Sequence, residues 1–392
     1  MADHRTPEEL GSWLRLAVEP GLGRAAARHL LKELGLPQHI FASSPALLVR
    51  HVSQELASRL AAPAQPEVRA AVDAAMDMLA RPGHSLLTLA DTTYPAALFD
   101  TGDPPLLLYV RGNPELLHRP SVAIVGARNA TEGGKDNARA FAHHLAGRGW
   151  TIVSGLARGI DAAAHEGALQ AGEAGGGTVA VLANGPDIIY PRQHAALAER
   201  IAEYGVLVTE YPPGTPAQPF RFPDRNRVVA ALARGVLVVE AAAQSGSLLT
   251  ARLALECSRE VFAIPGSIHA PLSRGCHALI RQGAKLVEQG RDIEEELTRT
   301  GPLPASVADV GARGAQSAPS ARSAARMMKD PTVARVLSAL GFDPAGADLL
   351  CRRSGLDFAR VAAVLTELEL NDVVQRLDDG RYVRRQQGII YG

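Results

Sequence analysis

The chain has 392 residues, 46% hydrophobic and 21% charged, which is the balance of an ordinary globular protein with two or three domains. Its 41 basic and 41 acidic residues cancel, so overall charge gives no general attraction for nucleic acid, and any cationic surface must be local. Three widely spaced cysteines without a CxxC pair, and twelve histidines without an HExxH motif, argue against a disulfide framework and a zinc site.

The start of the chain has no basic-then-apolar signal region. No apolar run approaches the ~20 residues that are needed to span a bilayer. We therefore expect a cytoplasmic protein with no membrane segment, and nothing in the sequence calls for a metal or a cofactor.

Residues 1–85 are rich in Ala and Leu at helical spacing, which predicts an N-terminal helical domain. Within it, the Pro-Gly-Leu-Gly turn at residues 20–23 precedes a helical pattern over residues 24–34. Such a turn is similar to a helix-hairpin-helix, as found in SAM-like helical domains, whose backbone amides can contact phosphate. A plain turn between two helices fits equally well, so both interpretations stay open.

Residues 86–300 carry the pattern of a larger α/β domain. Short strands and prolines over residues 86–109 lead into it, and residues 284–288 can add a last strand. Continuous apolar runs indicate strands covered on both faces. They occupy residues 121–126, 151–155, 178–183, 206–210, 235–240 and 260–266. Because helical patterns separate most of these runs, we predict right-handed crossovers and a doubly wound parallel sheet.

Residues 301–326 have the Ala, Ser, Gly, Pro and Arg composition of a flexible linker. Residues 327–392 then show three helical segments, followed by two short strands around an Asp-Asp-Gly turn. Three helices and a two-stranded wing describe a winged helix.

Arginines, glycines and small polar residues follow the predicted strands. In an open parallel sheet, ligands bind outside the carboxyl ends of the strands. Glycines there let backbone approach a ligand, and arginines can fork onto phosphate. The candidate binding residues in these loops are Gly126, Arg128, Gly155, Arg158, Gly185, Arg192, Phe222, Arg225, Asn226, Arg227, Ser245, Gly246 and Ser247.

These loops contain neither a GxGxxG fingerprint nor a GxxxxGK[ST] motif, which disfavours a dinucleotide-binding protein and a P-loop NTPase. Asp161, Glu210 and Glu240 are candidate acids or bases. No second catalytic group is identifiable beside them, which favours carboxylates that orient arginines or cap helices. We predict no catalytic residue.

Cations together with Phe220, Phe222 and Tyr190 suit a strand of nucleic acid better than a small anion, because single strands are held by a cationic track with aromatic faces for the bases. Packing of the two phenylalanines against the sheet is the alternative. Interleaved carboxylates limit the local field, so binding is expected to depend on specific contacts as well as on counterion release.

The order of the loop motifs resembles the DNA-processing protein A family (DprA, also called Smf). The motifs are residues 126–128, 154–161, 222–227, 245–251 and 263–267. The resemblance implies a Rossmann-like central domain between a helical unit and a winged helix of the DML1-like kind. It also implies a non-enzymatic protein that binds single-stranded DNA, protects incoming DNA in natural transformation, helps load the RecA recombinase, and works as a homodimer through the Rossmann-like domain.

Carried over residue by residue, the family's Gly-Ser-Arg turn maps to Gly126, Ala127 and Arg128, with one hydroxyl lost and the arginine kept. Arg192 stands where the family often has lysine. The Phe-Pro-x-Arg-Asn-Arg segment maps to residues 222–227 without loss. The resemblance implies that phosphates or sugars are contacted by Arg128, Arg158, Arg192, Arg225 and Arg227. It further implies base stacking on Phe222, and a hydrogen bond from Asn226 to a base edge or a neighbouring loop.

Two rival functions remain open. The lysine-decarboxylase-like phosphoribohydrolases use a Gly-Gly-x-Gly-Thr-x-x-Glu loop at the same sheet edge. Here the corresponding run ends at Thr250, and Leu253 stands in place of the catalytic glutamate, which favours binding over nucleotide hydrolysis. In the other rival, the winged helix binds duplex DNA as a regulator, although it fits a protein-interaction module as well. The sequence does not assign the dimer surface or the residues that contact RecA.

Overall fold

The computed structural model describes residues 5–300, 330–340 and 344–385. The linker predicted at residues 301–326 lies outside the described residues. Among those that are described, no helix combines the length and the apolarity that crossing a membrane requires.

Six helices form the N-terminal part: α1 (Pro7–Val18), α2 (Arg24–Leu34), α3 (Pro37–Ala42), α4 (Pro45–Leu48), α5 (Gln54–Ala61) and α6 (Pro66–Leu79). Thr6 starts α1 with a capping box, because its hydroxyl accepts from the Glu9 amide at 3.2 Å and its own amide donates to the Glu9 carboxylate at 2.8 Å. Proline is the first residue of α1, α3, α4 and α6, where its missing N–H costs no hydrogen bond and its fixed φ is already helical. Trp13, Leu16 and Leu30 lie in the core between these helices.

A nine-stranded sheet follows. Its strands are β1 (His84–Thr88), β2 (Leu107–Gly112), β3 (Ser121–Val125), β4 (Thr151–Ser154), β5 (Thr178–Val181), β6 (Val206–Thr209), β7 (Gly235–Val238), β8 (Glu260–Ala263) and β9 (Lys285–Leu286). They lie side by side in the order β1-β2-β6-β5-β4-β3-β7-β8-β9. All neighbours from β6 to β9 are parallel, whereas β1 and β2 form an antiparallel pair at one edge. The predicted doubly wound, Rossmann-like sheet is confirmed.

Helices cover both faces of the sheet. They are α7 (Glu132–Gly147), α8 (Ile160–Gln170), α9 (Ala195–Tyr204), α10 (Arg221–Leu232), α11 (Gly246–Glu256), α12 (Arg274–Arg281) and α13 (Gly290–Thr300). Successive side chains of a strand point to opposite faces. Val122 and Ile124 of β3 therefore share a core with α7 and α8, while Ala123 and Val125 share the other with α10 and α11. Full burial on both faces explains why the strands read as continuous apolar runs.

The strand order reverses at β3, which has β4 on one side and β7 on the other. The connections from β3 to β6 run toward one side of the sheet, and those from β7 to β9 run toward the other. A crevice is therefore left outside the carboxyl ends of β3 and β7. In sheets of this kind the crevice at the reversal is the usual ligand site.

The C-terminal part consists of α14 (Pro331–Leu340), α15 (Ala347–Ser354) and α16 (Phe358–Leu370), followed by β10 (Val374–Arg376) and β11 (Tyr382–Arg384). Val336, Leu350 and Leu365 form its small core. Ala345 pairs with Tyr382 beside the hairpin. Three helices and a wing match the predicted winged helix.

Candidate nucleic-acid interface

A cavity of about 200 Å³ opens at the carboxyl ends of β3 and β7. It is enclosed by the loops after β3 and β4, the start of α10 and the start of α11. It brings together most of the residues that the sequence nominated: Gly126, Arg128, Gly155, Phe222, Arg225, Asn226, Ser245, Gly246 and Ser247. Sequence reasoning did not nominate Ala157 or Val229, which also line it, because nothing in their residue type marks a binding role.

Gly126 allows the loops after β3 and β7 to meet. The amide of Ala127 donates to the carbonyl of Glu240 at 2.7 Å, which fixes the distance between these loops. A Cβ on Gly126 would lie 2.6 Å from Ile160 Cγ1 and 2.9 Å from the Glu240 carbonyl oxygen. Only glycine fits between the two loops.

The loop after β4 is tied to the same corner. Gly159 has φ +78°, and a Cβ there would lie 2.3 Å from the Ala127 carbonyl oxygen. The Asp161 carboxylate accepts from the amides of Gly155 at 3.1 Å and Ala157 at 3.4 Å. Burial raises the pKa of Asp161, against the opposing effect of the Arg225 charge. This carboxylate holds the loop through its backbone amides.

Arg225 forms the floor of the cavity and is only 4% exposed. Its Nη1 donates to the carbonyl of Gly155 at 2.6 Å and to the carbonyl of Val181. Burial lowers the pKa of Arg225 to about 10, while the nearby Asp161 carboxylate opposes that shift. The guanidinium therefore stays charged at neutral pH and links α10 to the loop after β4 and to the last residue of β5.

Arg128 lies beside aromatic rings at the mouth of the cavity. Its exposed guanidinium carbon is 5.1 Å from the centre of the Phe222 ring. The ring of Tyr190 is 5.6 Å from that of Phe222, tilted by 47°. Phe220 is 67% exposed, so it does not pack the loop against the sheet. A cation and one aromatic ring, that of Phe222, therefore share the opening, and Tyr190 lies next to that ring.

The start of α11 supplies backbone donors. Ser245 is the N-cap residue, and its hydroxyl accepts from the Ser247 amide at 3.3 Å and lies 2.7 Å from the Ser247 hydroxyl. A Cβ on Gly246 would meet no protein atom within 4 Å. The positive end of a helix thus opens into the cavity with room for an anion beside it.

Four nominated residues lie outside the cavity lining. Arg158 and Arg192 are exposed, and neither has an ion-pair partner within the described part of the chain. Gly185 is buried, and its amide donates to the Thr215 carbonyl at 2.9 Å, so it closes a loop. Arg227 is also buried and pairs with Glu210.

Arg227 belongs to a set of charged residues that joins the N-terminal helices to the sheet, here named the arginine clasp. Its members are Arg24, Arg28, Asp103, Glu210, Asp224 and Arg227. Arg24 donates to both carboxylate oxygens of Asp224 at 2.8 and 2.9 Å, to Asp103 at 2.8 Å and to Glu210 at 3.1 Å. Sequence reasoning missed this set, because no local pattern connects residues 24 and 224.

The pKa values of the clasp carboxylates are shifted in opposite directions. Burial raises the pKa of Glu210, against the neighbouring Arg227 and Arg24 charges. Burial also acts to raise the pKa of Asp224, but its hydrogen bonds from Arg24 outweigh this effect and hold that pKa below the usual value. Arg24 has its pKa raised, because its carboxylate partners outweigh the effect of burial.

Glu240 is held as firmly. Its carboxylate accepts from the amide of Thr131 at 2.9 Å and from the hydroxyl of Thr131 at 2.6 Å, which anchors the start of α7. All three carboxylates that the sequence raised as candidate acids or bases thus have structural partners. The described residues also contain no group of three or more His, Cys, Asp and Glu side chains that could hold a metal ion.

Comparisons with known proteins point in one direction. A family model described as "DNA recombination-mediator protein A" matches residues 85–298, and one described as "DprA winged helix domain" matches residues 316–380. The chain is 40% identical to Protein Smf of Escherichia coli over 319 residues, covering 81% of each chain. It is 46% identical to the DNA processing protein DprA of Streptococcus pneumoniae over 209 residues, covering 53% of this chain and 73% of that protein.

Two solved structures agree. The X-ray structure of DprA from Streptococcus pneumoniae is 35% identical, with a TM-score of 0.59, and the match covers 74% of this chain and 98% of that one. A structure of DprA from Helicobacter pylori, described as giving insight into its single-stranded DNA binding mode, is 31% identical with a TM-score of 0.50. That match covers 56% of this chain and 97% of the other.

Replacing Gly126 with Ala is expected to destabilise the protein by about 1–3 kcal/mol, because the new methyl group overpacks the corner between Ile160 and Glu240. Chemical denaturation measures the change. Gly147→Ala is the matched control, since a Cβ there meets nothing within 4 Å and lies in α7, where Ala is favoured. Equal stabilities for the two variants would contradict the close approach at Gly126.

The Arg24–Asp224 pair predicts a defined pH dependence. The folded pKa of Asp224 is lowered, so its contribution to stability is present above the ordinary aspartate pKa and is lost as pH falls through the lowered value. The difference in Tm between wild type and Asp224→Asn should therefore be largest from about pH 5 to 8 and shrink below about pH 4. A difference that is constant across this range would show that the carboxylate charge is not what stabilises.

Proposed function

Because the chain belongs to the DNA recombination-mediator protein A family, we propose that it binds single-stranded DNA at the cavity outside β3 and β7 and catalyses no reaction on it. The observation that carries this proposal is the meeting of an exposed arginine, an aromatic ring and a helix N-terminus at one opening. A single strand needs cations for its backbone and flat faces for its bases, and this opening offers both.

The phosphate contacts come from two sources. Arg128 is exposed and can fork onto a phosphate while its guanidinium stays over the Phe222 ring. The Gly246 amide lies beside the same space at the start of α11, whereas the amides of Ser245 and Ser247 donate to the Ala242 carbonyl and to the Ser245 hydroxyl. A phosphate between them would be held by a cation and by the positive end of a helix at once.

The base contacts are assigned to the aromatic rings. Phe222 lines the opening, and the exposed Tyr190 ring lies beside it; stacking on such rings tolerates any base. Asn226 uses its Oδ1 to accept from Arg225 Nε at 3.2 Å. Its amide nitrogen is left to donate to a base edge or to a neighbouring loop.

The other cations extend or support this contact. Arg158 follows Ala157 of the cavity lining, and Arg192 comes two residues after Tyr190; both are exposed and would lengthen the cationic track along the strand. Arg225 lines the cavity but is buried, so it would add positive charge beneath a bound phosphate or sugar while its Nη1 holds the backbone carbonyls. Arg227 is held by carboxylates in the arginine clasp, so we assign it to the support of α10.

Nucleotide hydrolysis is disfavoured by the residues at the cavity. Leu253 packs against the hydrophobic core at the position where the phosphoribohydrolase loop has its glutamate. Asp161 lines the cavity, but its carboxylate accepts backbone amides. Release of free base from nucleoside monophosphates incubated with the protein would overturn a purely binding role.

The family also supports two finer proposals: that the chain loads the RecA recombinase onto single strands, and that it forms a homodimer through the Rossmann-like domain. The first is tested by the lag before RecA hydrolyses ATP on strands coated with single-strand-binding protein, which should shorten when this protein is added. The second is tested by the mass in solution. No change in the lag, or a monomeric mass at micromolar concentration, would remove the respective proposal.

Replacing Arg128 with Ala should weaken single-strand binding about evenly across base sequences, because the lost contact is to the backbone. The slope of log affinity against log salt concentration should become shallower by about 0.7. Fluorescence anisotropy with labelled oligonucleotides measures both quantities.

Arg119→Ala is the matched control, because Arg119 is an exposed arginine just before β3, at the amino ends of the parallel strands and so away from the cavity. It should leave affinity and salt slope unchanged. Undiminished affinity of a folded Arg128→Ala protein would remove Arg128 from the site. Tighter binding of wild type to duplex than to single strands would move the function to the winged helix.

Gly246→Ala separates ligand approach from protein packing. The new methyl group meets no protein atom, so Tm should stay equal or rise slightly. Single-strand affinity should fall, because the methyl group occupies the space in which a phosphate would approach the start of α11. An unchanged affinity would show that the strand does not contact this helix end.

A further inference from the structure

We propose that Arg24, in the N-terminal helical part, is a positioning residue for strand binding. By holding Asp224, it fixes the first turns of α10 so that Phe222, Arg225 and Asn226 face the cavity. This inference rests on the proposed function and goes beyond it, since it gives the N-terminal helices a part in the affinity of a site to which they contribute no lining residue.

One face of α10 lines the cavity, and the opposite face belongs to the arginine clasp. Phe222, Arg225, Asn226 and Val229 all line the cavity, and their spacing of three, one and three residues places them on one side of a helix. Asp224 and Arg227 are one turn apart on the opposite side and belong to the arginine clasp. A rotation of α10 that breaks the clasp therefore also moves the cavity residues.

The start of α10 has no local anchor of its own. Its N-cap residue is Phe220, which makes no side-chain capping hydrogen bond. Helix ends without such a bond fray more easily. The carboxylate of Asp224, in the first turn, is held by Arg24 and by the Tyr211 hydroxyl at 3.0 Å. The placement of this turn thus depends on tertiary contacts.

Arg24 is suited to that task by its shape. Three of its nitrogens bond carboxylates from three segments: the turn at Asp103, the end of β6 at Glu210, and α10 at Asp224. The pair with Asp224 is bidentate, which fixes orientation as well as distance. A lysine keeps the charge but cannot form the fork.

The charges of the clasp cancel, with Arg24, Arg28 and Arg227 facing Asp103, Glu210 and Asp224. Arg227 cannot replace Arg24, because its Nε lies 3.5 Å from Asp224 and makes no hydrogen bond. Loss of Arg24 would leave an excess carboxylate on the outer face of α10 and release its first turn.

The test compares single-strand affinity for the full chain carrying Arg24→Ala, Arg24→Lys, Asp224→Ala, or Arg24→Ala with Asp224→Ala. Each single alanine variant should weaken binding by about tenfold, and the double variant should be no weaker than either single one, because the two residues act as one pair. Arg24→Lys should also weaken binding. The salt slope should stay that of wild type, since no phosphate contact is removed.

Asp224→Ala is the decisive variant. It removes a negative charge beside a site for a polyanion, so simple electrostatics would make binding tighter, whereas loss of positioning makes it weaker. Arg69→Ala is the control for charge loss, because Arg69 is exposed on α6, in the same helical part. It should leave affinity unchanged.

Affinities are measured well below each variant's Tm, with circular dichroism confirming the folded state; if Arg24→Ala does not fold, Arg24→Lys and Asp224→Ala carry the test. Wild-type or tighter binding by Asp224→Ala, additive effects in the double variant, or a shallower salt slope for Arg24→Ala would each overturn the inference. If Arg128→Ala weakens binding and these variants do not, only the positioning role fails. If wild type binds no single strand, the proposed function itself fails.

Discussion

The hydrogen bond from the Ala127 amide to the Glu240 carbonyl joins the loops on either side of the reversal in strand order. Because this bond is 2.7 Å long and Gly126 lies directly beside it, the two loops have one possible spacing. Arg128 follows Ala127 directly, so its backbone is positioned from this corner. The cavity therefore has its shape before any ligand arrives, which lowers the entropic cost of binding.

Three arginines near the cavity illustrate how one residue type serves three purposes. Arg128 is exposed and available to a ligand, Arg225 is buried and bonded to backbone carbonyls, and Arg227 is neutralised by carboxylates. Arg225 and Arg227 are only two residues apart, yet the helix turns them to different surroundings. Burial and partners decide whether a cation is available to a ligand or holds the protein together.

The strands were predictable because each is buried on both faces and so is apolar throughout, as at residues 121–125. The loop residues were predictable because parallel strands place their carboxyl ends at one edge. The arginine clasp was not, since it joins Arg24 to Asp224 through tertiary contact alone. The sequence also could not show that Gly185 and Arg227 lie outside the cavity lining. Their positions depend on the exact conformation of a loop and on the rotation of α10 about its axis.

The last strand of the sheet, β9, is only two residues long, and both are exposed. It begins with Lys285, whose ammonium group pairs with Glu296 of α13. Because this edge strand is so short and carries a cation, it offers too few free backbone groups to pair with a further strand. This edge of the sheet is thereby protected from uncontrolled pairing with the sheet of another molecule.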